Sequence, residues 1–393
     1  MARLLFIFDI GFDREGPSVH LLQDILKVAL EEGNYVDVIL KDTNGPLPLM
    51  PAEFAIFDNF NYVAIKEEDE KGKGFIKRYI NEVNYAKKCG KYFLNNKKYD
   101  AVFLQSNPVA FFYMRLIAKL KSKIVFNVQD IFPYNLLYSG QLPFAKILFP
   151  ILRKLQNMAY QRSNTIITIS DDMKQTLVED GVEESKIKVV YNWSYDDSPI
   201  TKESIDGNNY YDLHMDHNKC NVVYAGNIGR MQNVELIVQA AMELQNDRSI
   251  QFYIIGNGAN TENIDSMIVG LNNVTRLPMQ NSKYAESIYA QADINIIPLM
   301  PGGIKTALPS KTATVLRTNT SIIFCIDSDS RFAQICKPNR RVYIADARYP
   351  GDLVSVINAV REDKNKGQMY EYCNWKLFSC ENAKKYIKEM ILQ

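Results

Sequence analysis

The sequence predicts an α/β protein of two domains, each built on a parallel sheet. At 393 residues the chain exceeds one ordinary domain and can bury two hydrophobic cores. Short, fully apolar strand patterns alternate with helical patterns along most of the chain, which is typical of parallel sheets covered on both faces. A polar stretch at 194–219, rich in Asp, Asn, Ser and Tyr, separates the strand patterns into two series.

The first series of predicted strands comprises 4–8, 36–40, 101–104, 124–128, 165–169 and 187–190. Helical patterns lie between several of them, at 18–32, 75–94 and 143–160. The second series comprises 222–224, 252–255, 274–277, 294–298, 322–325 and 342–344. We therefore predict a first domain over 1–193, a connection over 194–219 and a second domain over 220–370.

The composition is that of a soluble globular protein. Hydrophobic residues make up 47% of the chain, charged residues 23%, and the formal net charge of +1 selects no partner. The six cysteines lack CxxC spacing, which argues against a disulfide scaffold or a zinc site and favours a reduced cytosol. Asp9 interrupts the apolar start too early for a signal peptide, and no apolar run is long enough to span a bilayer. We expect a cytoplasmic protein.

Segment 71–123 is strongly basic. It holds 13 Lys and Arg against two acidic residues, Glu82 and Asp100, an excess of 11 positive charges. Within it VAFFYMRLIAKLKSK, and beyond it FAKILFPILRK, mix apolar side chains with cations, as an interfacial membrane surface does. Buried helix faces with solvated Lys explain the same pattern. No nucleic-acid-binding motif accompanies the charge, so we expect no nucleic acid partner.

Two α/β domains joined once predict an active site in a cleft between them, because ligands bind outside the carboxyl ends of parallel strands. The most informative segment is 292–325: an apolar strand, a Gly-rich loop, a helix opening at Pro309, Ser310 and Lys311, and a second strand. Such a loop brings backbone N–H groups, a positive helix end and a Lys to one point. This arrangement suits a phosphorylated ligand.

Two further loops of the second domain follow predicted strands. VVYAGNIGRMQN contains the loop Gly226, Asn227, Ile228 and Gly229. Its two glycines let the backbone approach a ligand closely and Arg230 adds a cation, although an ordinary strand–helix turn looks the same. IIGNGAN places Gly256 and Gly258 in a second turn. It lacks the third glycine of a dinucleotide fingerprint, which leaves a nucleoside contact as the functional interpretation.

The first domain offers two candidate positions for chemistry. Gly16 lies in the loop after the first strand, and His20 in the helix turn that follows points either into the cleft or merely into the helix. Asp130 follows the strand 124–128, where a carboxylate accepts a proton from an attacking hydroxyl or caps the turn before Pro133. For the pair Asp327 and Asp329 of the second domain we prefer N-capping of the next helix, by Asp329 or Ser330, to a metal site.

Taken together, these segments resemble the retaining glycosyltransferases of family 4, which have the GT-B fold, and especially members that assemble bacterial polysaccharides. The resembling segments are GFDREGPSVH, NVQDIFP, NTIITISDDMK, VVYAGNIGRMQN, FYIIGNGA, ADINIIPL and ALPSK. The resemblance implies two Rossmann-like domains facing each other across a cleft. It implies a nucleotide-sugar donor, with a UDP-linked hexose or N-acetylhexosamine expected, as substrate rather than cofactor, and no metal. The implied acceptor is a saccharide or polyprenyl-linked saccharide of capsule, exopolysaccharide or O-antigen synthesis, at the inner face of the plasma membrane.

The resemblance also implies roles for single residues. The diphosphate would meet Gly229, Arg230 and Lys311. The nucleoside would be framed by Gly256, Gly258 and the backbone near Leu277. The acceptor or transferred sugar would face Gly16, His20 and Asp130. Residues 371–393 would form a C-terminal helix that packs back on the first domain. Anchored on ALPSK, two positions where the family usually has Glu carry Lys305 and Thr314. A non-catalytic partner subunit and a nucleotide-sugar 2-epimerase stay open as alternatives.

Overall fold

The computed structural model describes residues 1–13, 16, 18–67, 74–95, 98–139, 145–365 and 376–391. The chain divides into two compact units. The first unit comprises Met1–Trp193 together with Cys380–Gln393, and the second comprises Ser194–Ser379.

The first unit is a seven-stranded parallel sheet with helices between its strands. Its strands are β1 (Arg3–Ile7), β2 (Tyr35–Asp42), β3 (Phe60–Lys66), β4 (Ala101–Gln105), β5 (Lys123–Val128), β6 (Thr165–Thr168) and β7 (Ile187–Val189). Its helices before the second unit are α1 (Val19–Glu31), α2 (Phe75–Phe93), α3 (Ala110–Ile117), α4 (Tyr134–Ser139), α5 (Ala145–Arg162) and α6 (Asp171–Glu179). The strand order is β3-β2-β1-β4-β5-β6-β7.

The second unit is a six-stranded parallel sheet of order β10-β9-β8-β11-β12-β13. Its strands are β8 (Cys220–Ala225), β9 (Ile250–Ile255), β10 (Val274–Leu277), β11 (Ile294–Pro298), β12 (Ser321–Ile326) and β13 (Val342–Asp346). Its helices are α7 (Val234–Glu243), α8 (Thr261–Met267), α9 (Ala285–Gln291), α10 (Thr312–Leu316), α11 (Arg331–Cys336) and α12 (Pro350–Asn365). Helix α13 (Asn382–Ile391) follows and belongs to the first unit.

The apolar strand patterns produce these sheets because both of their faces are covered. Every residue of β11 and β12 is buried, as continuous Ile-rich runs in a parallel sheet require. In the first unit, helix α1 buries Leu22, Ile25 and Leu26 in a core shared with β1, β2 and β4. Helix α13 adds Ala383, Tyr386, Ile387 and Met390 to the same core.

Two features differ from the sequence-based expectations. Strand β3 is unpredicted: it lies at the edge of the sheet, and three of its residues, Asn61, Tyr62 and Lys66, are exposed, so it lacks a continuous apolar pattern. Segment 194–219, predicted as a connection, is part of the second unit, where Ile200 forms a backbone bridge with Thr318. The predicted boundary at 370 lies outside the described residues.

Candidate functional site

Lys311 lies at the carboxyl edge of the second sheet, in contact with the end of β8. Its Nζ donates to the Ala225 carbonyl oxygen at 2.7 Å and lies 4.0 Å from the centre of the Tyr224 ring. Desolvation by burial lowers the pKa of this ammonium to about 7. Among the described residues no carboxylate pairs with it. Its charge is therefore compensated only by a carbonyl dipole and a π face, an arrangement that favours an arriving anion.

The glycines of the two loops are required by close backbone approach. Gly226 has φ +147°, and a Cβ there would stand 2.6 Å from Lys311 Nζ. Gly256 has φ +148°, and its Cβ would lie 1.8 Å from the Gly226 carbonyl oxygen, so no other residue fits. A Cβ on Gly258 would lie 2.3 Å from the Ile228 carbonyl oxygen. The loops after β8 and β9 are thus packed directly on each other beside the Lys311 ammonium.

Hydrogen bonds fix the shape of these loops. The Gly226 N–H donates to the Ile255 carbonyl at 2.9 Å, and the Ile228 N–H donates to the Asn257 carbonyl at 3.0 Å. At the far side the Gly256 N–H donates to the Leu277 carbonyl at 3.1 Å, which joins the end of β10 to these two loops. The structure therefore brings Gly226, Gly256, Gly258, Leu277 and Lys311 together.

Arg276 holds the ends of β9 and β10 in this arrangement, and the sequence did not mark it. Its guanidinium donates to the Gly256 carbonyl at 2.6 Å and to the Leu277 carbonyl, while Nε donates to Asp265 at 3.0 Å. A basic side chain on a strand looks ordinary in sequence. Its contacts with carbonyls at two strand ends appear only in the folded sheet.

The segment after β11 corrects one expectation. We predicted a helix opening at Pro309, Ser310 and Lys311, but α10 begins at Thr312 and is five residues long. So short a helix has a small dipole, and the electrostatic part of the site rests on the Lys311 side chain. Ser310 is exposed.

Four other predicted residues surround this point. Arg230, Asn227 and Lys305 are exposed, and the Asn227 side chain has one long contact, from Nδ2 to Gln232 Oε1 at 3.5 Å. Gly229 is buried, and a Cβ there would lie 2.4 Å from Gln232 Oε1. The side chain of Arg230 has no ion pair or hydrogen bond within the part of the chain that the structure describes. Asn227 and Arg230 are thus exposed in the loop after β8, and Lys305 is exposed in the segment after β11.

Thr314 is half-buried and already has a side-chain partner. Its Oγ1 lies 3.1 Å from Ser194 Oγ. Arg317, one turn further, donates to the same Ser194 oxygen at 2.8 Å and to Glu286 at 2.8 Å. The position that replaces the family's second Glu is therefore tied to the start of the second unit.

Asp130 is exposed two residues after β5, at the carboxyl edge of the first sheet. Although solvent reaches this residue, protein atoms crowd its carboxyl group, and the resulting desolvation raises the pKa of the carboxyl to about 6. The preceding residue, Gln129, donates to Asn127 Oδ1 at 3.0 Å and accepts from Asn192 Nδ2 at 2.7 Å. The chain is thus anchored immediately before the carboxylate, and the turn-capping role finds no hydrogen bond among the described residues.

His20 points to the end of the first unit. Its Nε2 donates to the Trp193 carbonyl at 3.1 Å, and burial lowers the pKa of the imidazole. The Trp193 indole donates to Asp24 one turn along α1, at 2.7 Å. Gly16 precedes α1, and its carbonyl accepts from the Val19 N–H at 3.1 Å. Arg14, Glu15 and Pro17 of the predicted loop lie outside the described residues.

A charged cluster that the sequence did not reveal lies at the same edge. Asp9 follows β1, Lys41 is on β2, and Glu82 on α2 forms an ion pair with Lys41. The Lys41 ammonium also lies 4.9 Å from the centre of the Tyr85 ring. Desolvation raises the pKa of Asp9 to about 7, opposed by Lys41 and reinforced by Glu82. The three charges are far apart in sequence, so no local pattern shows the cluster.

The basic segment divides into a buried part and an exposed part. On α3, Tyr113, Met114 and Ile117 are buried, as the core interpretation of that stretch requires. On α5, by contrast, Ile147 is 70% and Ile151 is 59% exposed. Lys146 and Lys154 are exposed on the same helix, while Ile76 and Ile80 of α2 are also exposed. Lys71, Lys73, Lys97 and Phe144 lie outside the described residues.

The predicted capping role beside α11 is confirmed for that helix. Ser330 Oγ accepts from the Ala333 N–H at 3.2 Å, while Asp327 accepts from the Gly302 N–H at 2.7 Å. The described residues contain no group of three His, Cys, Asp or Glu that could hold a metal ion. Nor does any described helix have the length and apolar character needed to cross a membrane.

Comparison with known proteins finds family models and relatives that this chain matches. Residues 21–193 match the family model Glycosyltransferase Family 4, and residues 219–325 match the model Glycosyl transferases group 1. A protein of Pseudomonas aeruginosa named as a glycosyltransferase, WbjE, is 24% identical over 63% of this chain and 64% of its own length. WcaI of Escherichia coli K12, named for colanic acid biosynthesis, is 25% identical over 57% of this chain and 56% of its own. The matches therefore span less than two thirds of either relative.

Among solved structures, HepE of Anabaena in complex with UDP and glucose superimposes with a TM-score of 0.70. The match covers 100% of this chain and 99% of HepE at 12% sequence identity, so it supports a shared fold and nothing more. Two Rossmann-like parallel sheets and family-model matches in both halves lead to one conclusion. The chain has the GT-B fold, and its two halves match glycosyltransferase family models.

Proposed function

We propose that the protein is a retaining glycosyltransferase of bacterial surface polysaccharide synthesis. It moves a sugar from a nucleotide-sugar donor, a UDP-linked hexose or N-acetylhexosamine, to a saccharide or polyprenyl-linked saccharide. The observation that carries the proposal is the position of the Lys311 ammonium, 2.7 Å from the Ala225 carbonyl and beside the side-chain-free Gly226. A pyrophosphate group fits such a place, where backbone and a cation meet without a competing carboxylate.

Lys311 supplies the electrostatic part of the reaction. As the bond between sugar and diphosphate breaks, negative charge grows on the leaving diphosphate. A cation held in a partly desolvated site stabilises that charge more than it stabilises the bound donor, which accelerates the reaction. Arg230, exposed in the loop after β8, adds a second cation, and the Gly229 backbone adds an N–H donor. This scheme needs no metal, and transfer should persist in EDTA.

Asp130 is the candidate for proton transfer in the first unit. With a pKa of about 6 its carboxylate is ionised at neutral pH and still basic enough to take a proton from an acceptor hydroxyl. His20 and Gly16 lie in the segment we assign to acceptor or sugar contacts. Gly256, Gly258 and the backbone at Leu277 frame the nucleoside in this proposal, and Lys305, Ser310 and Thr314 line the donor loop.

Titration calorimetry with UDP, GDP and the corresponding sugars tests the proposal, followed by a transfer assay on lipid and saccharide acceptors. Micromolar binding of a nucleoside diphosphate and release of that nucleotide from its sugar are expected. A folded protein that binds neither nucleotide would contradict the donor site.

A membrane surface is the second part of the proposed setting, at the inner face of the plasma membrane. The exposed Ile147 and Ile151 of α5, next to Lys146 and Lys154, fit a helix that inserts apolar side chains between anionic headgroups. Flotation with anionic and neutral liposomes measures this, with Ile147→Ser/Ile151→Ser as the test variant and Val269→Ser, another exposed apolar residue, as control. Equal failure to float with both lipid compositions would remove the membrane contact.

A non-catalytic partner subunit is the second candidate function. It is favoured by Thr314, which takes the place of a Glu and is already hydrogen-bonded to Ser194. Such a protein would bind nucleotide weakly and turn over no donor even with acceptor present. The same calorimetry and transfer assay separate it from the enzyme.

A further inference from the structure

We infer that Tyr224 is a positioning residue for nucleotide binding, which acts by holding the Lys311 ammonium in place. The inference rests on the proposed donor site and adds a residue to it. Tyr224 is the fifth residue of β8, directly before Ala225, whose carbonyl accepts from Lys311. Its ring lies 4.0 Å from Nζ.

The Tyr224 ring is a fixed platform. Only 1% of the residue is exposed, and its hydroxyl donates to the Asn227 carbonyl at 2.5 Å. Both ends of the side chain are therefore held, one by the core and one by the loop that follows. Because the ring is already immobile, ligand binding costs it no further conformational entropy. A solvated Lys side chain, by contrast, would lose such entropy on binding.

The Ala225 carbonyl, the other partner of Lys311, is itself shared. It also accepts from the Tyr289 hydroxyl at 3.2 Å. If a phosphate draws the ammonium away, Tyr289 keeps that carbonyl satisfied. The π face of Tyr224 continues to stabilise the positive charge, because an aromatic quadrupole attracts a cation without competing for its hydrogen bonds.

Tyr224 has two separable functions in this arrangement. The ring orients the ammonium, while the hydroxyl fixes the peptide of Asn227 in the Gly-rich loop. Tyr224→Phe removes only the second function. Tyr224→Leu and Tyr224→Met remove both, and the unbranched Met fills more of the ring's volume.

A double-mutant cycle between Tyr224 and Lys311 tests the inference, with UDP affinity measured by calorimetry at pH 7. We expect about tenfold weaker binding for Tyr224→Leu and Tyr224→Met, and at least as large a loss for Lys311→Met. In the Lys311→Met background, Tyr224→Met should cost no more than loss of the hydroxyl alone, about threefold at most. Tyr224→Phe should stay within about threefold of the wild type.

The pair Lys283 and Tyr284 is the matched control. Its ammonium lies 4.8 Å from the ring centre, but Lys283 is exposed, and Tyr284→Leu should leave UDP affinity unchanged. Additive losses for Tyr224→Met and Lys311→Met, both confirmed as folded by circular dichroism, would overturn the inference, as would Tyr224→Phe binding as weakly as Tyr224→Met. A wild-type protein that binds neither UDP nor GDP would overturn the donor site itself, and the inference with it.

Discussion

The Tyr386 hydroxyl on the last helix donates to Asn127 Oδ1 at 3.3 Å, on the strand that leads to Asp130. Gln129 Nε2 donates to the same Asn127 oxygen at 3.0 Å and approaches the Tyr386 hydroxyl at 3.4 Å. The two residues are 259 positions apart in the chain. The C-terminal helix thus reaches the segment that holds the candidate base, and it does so through a buried polar contact.

Tyr386→Phe should lower the rate of transfer about three- to tenfold while costing only about 1 kcal/mol of stability, since it removes one hydroxyl from a network that sets the Gln129 side chain. The rate constant and thermal melting are measured together. Tyr343→Phe, which removes a hydroxyl bonded to Asp363 at 3.0 Å in the other unit, serves as control. A rate equal to the wild type would show that the network does not position Asp130.

Lys311→Ala should lower transfer more than tenfold with the fold intact, because one charge-assisted contact contributes about 1.5–3 kcal/mol. Transfer is measured at saturating and at low donor concentrations. Lys283→Ala, an exposed Lys of the same unit, provides the comparison. Near-normal turnover of a folded Lys311→Ala protein would refute the role assigned to this ammonium.

Nucleotide binding should take up a proton above neutral pH. In the free protein the pKa of Lys311 is about 7, so at pH 8 most molecules carry a neutral amine, and a bound diphosphate raises that pKa. Calorimetry of UDP in buffers of different ionisation enthalpy at pH 8 should show uptake approaching one proton. Uptake should shrink toward pH 6, and Lys311→Met should abolish it. Uptake that persists in this variant would assign the proton to another group.

Asp130→Asn should lower the rate about 10²-fold or more and leave UDP affinity unchanged, since the carboxylate faces the acceptor side in our proposal. The wild-type rate should fall as pH drops through about 6, where the carboxylate gains its proton. Asp58→Asn, an exposed Asp of the same unit, is the control. Weaker nucleotide binding with an unchanged rate would contradict the role of base.

Asp9→Asn should stabilise the protein at pH 8 and do so less at pH 5. The folded-state pKa of about 7 lies above the ordinary value of 3.8 for an Asp carboxyl, so the contribution of Asp9 to stability is full below about 4 and is lost as pH rises through 7. Removing the charge should raise the free energy of unfolding at pH 8 by about 1–3 kcal/mol. Denaturant unfolding at both pH values measures this. If Asp9→Asn were less stable than the wild type at pH 8 but not at pH 5, the Asp9 charge would instead be stabilised by Lys41.

Much of the fold was predictable because buried parallel strands leave a local signal. The continuous apolar runs of β11 and β12, for example, can be recognised as strands from their local sequence alone. Strand β3 has no such run, since as an edge strand it is covered on fewer sides. The start of α10 was placed too early because Pro309 and Ser310 are typical of a helix start and here form a turn instead.

The site was predictable only where a glycine or a motif marks it. Gly226 and Gly256 could be chosen from sequence, since each follows an apolar strand. The Tyr224 ring beneath Lys311 could not be predicted, because in sequence Tyr224 looks like any other aromatic residue of a strand. Asp9, Lys41 and Glu82 come from β1, β2 and α2, and their mutual effect on pKa exists only after those elements are packed.

The position of α13 has a consequence for biosynthesis. Ala383, Tyr386, Ile387 and Met390 complete the core of the first unit, although the ribosome makes them only after the whole second unit. The second unit, a continuous stretch from Ser194 to Ser379, has all its residues available before then. We therefore expect the first unit to keep an open hydrophobic groove, exposed to chaperones, until α13 has been made and can pack into it.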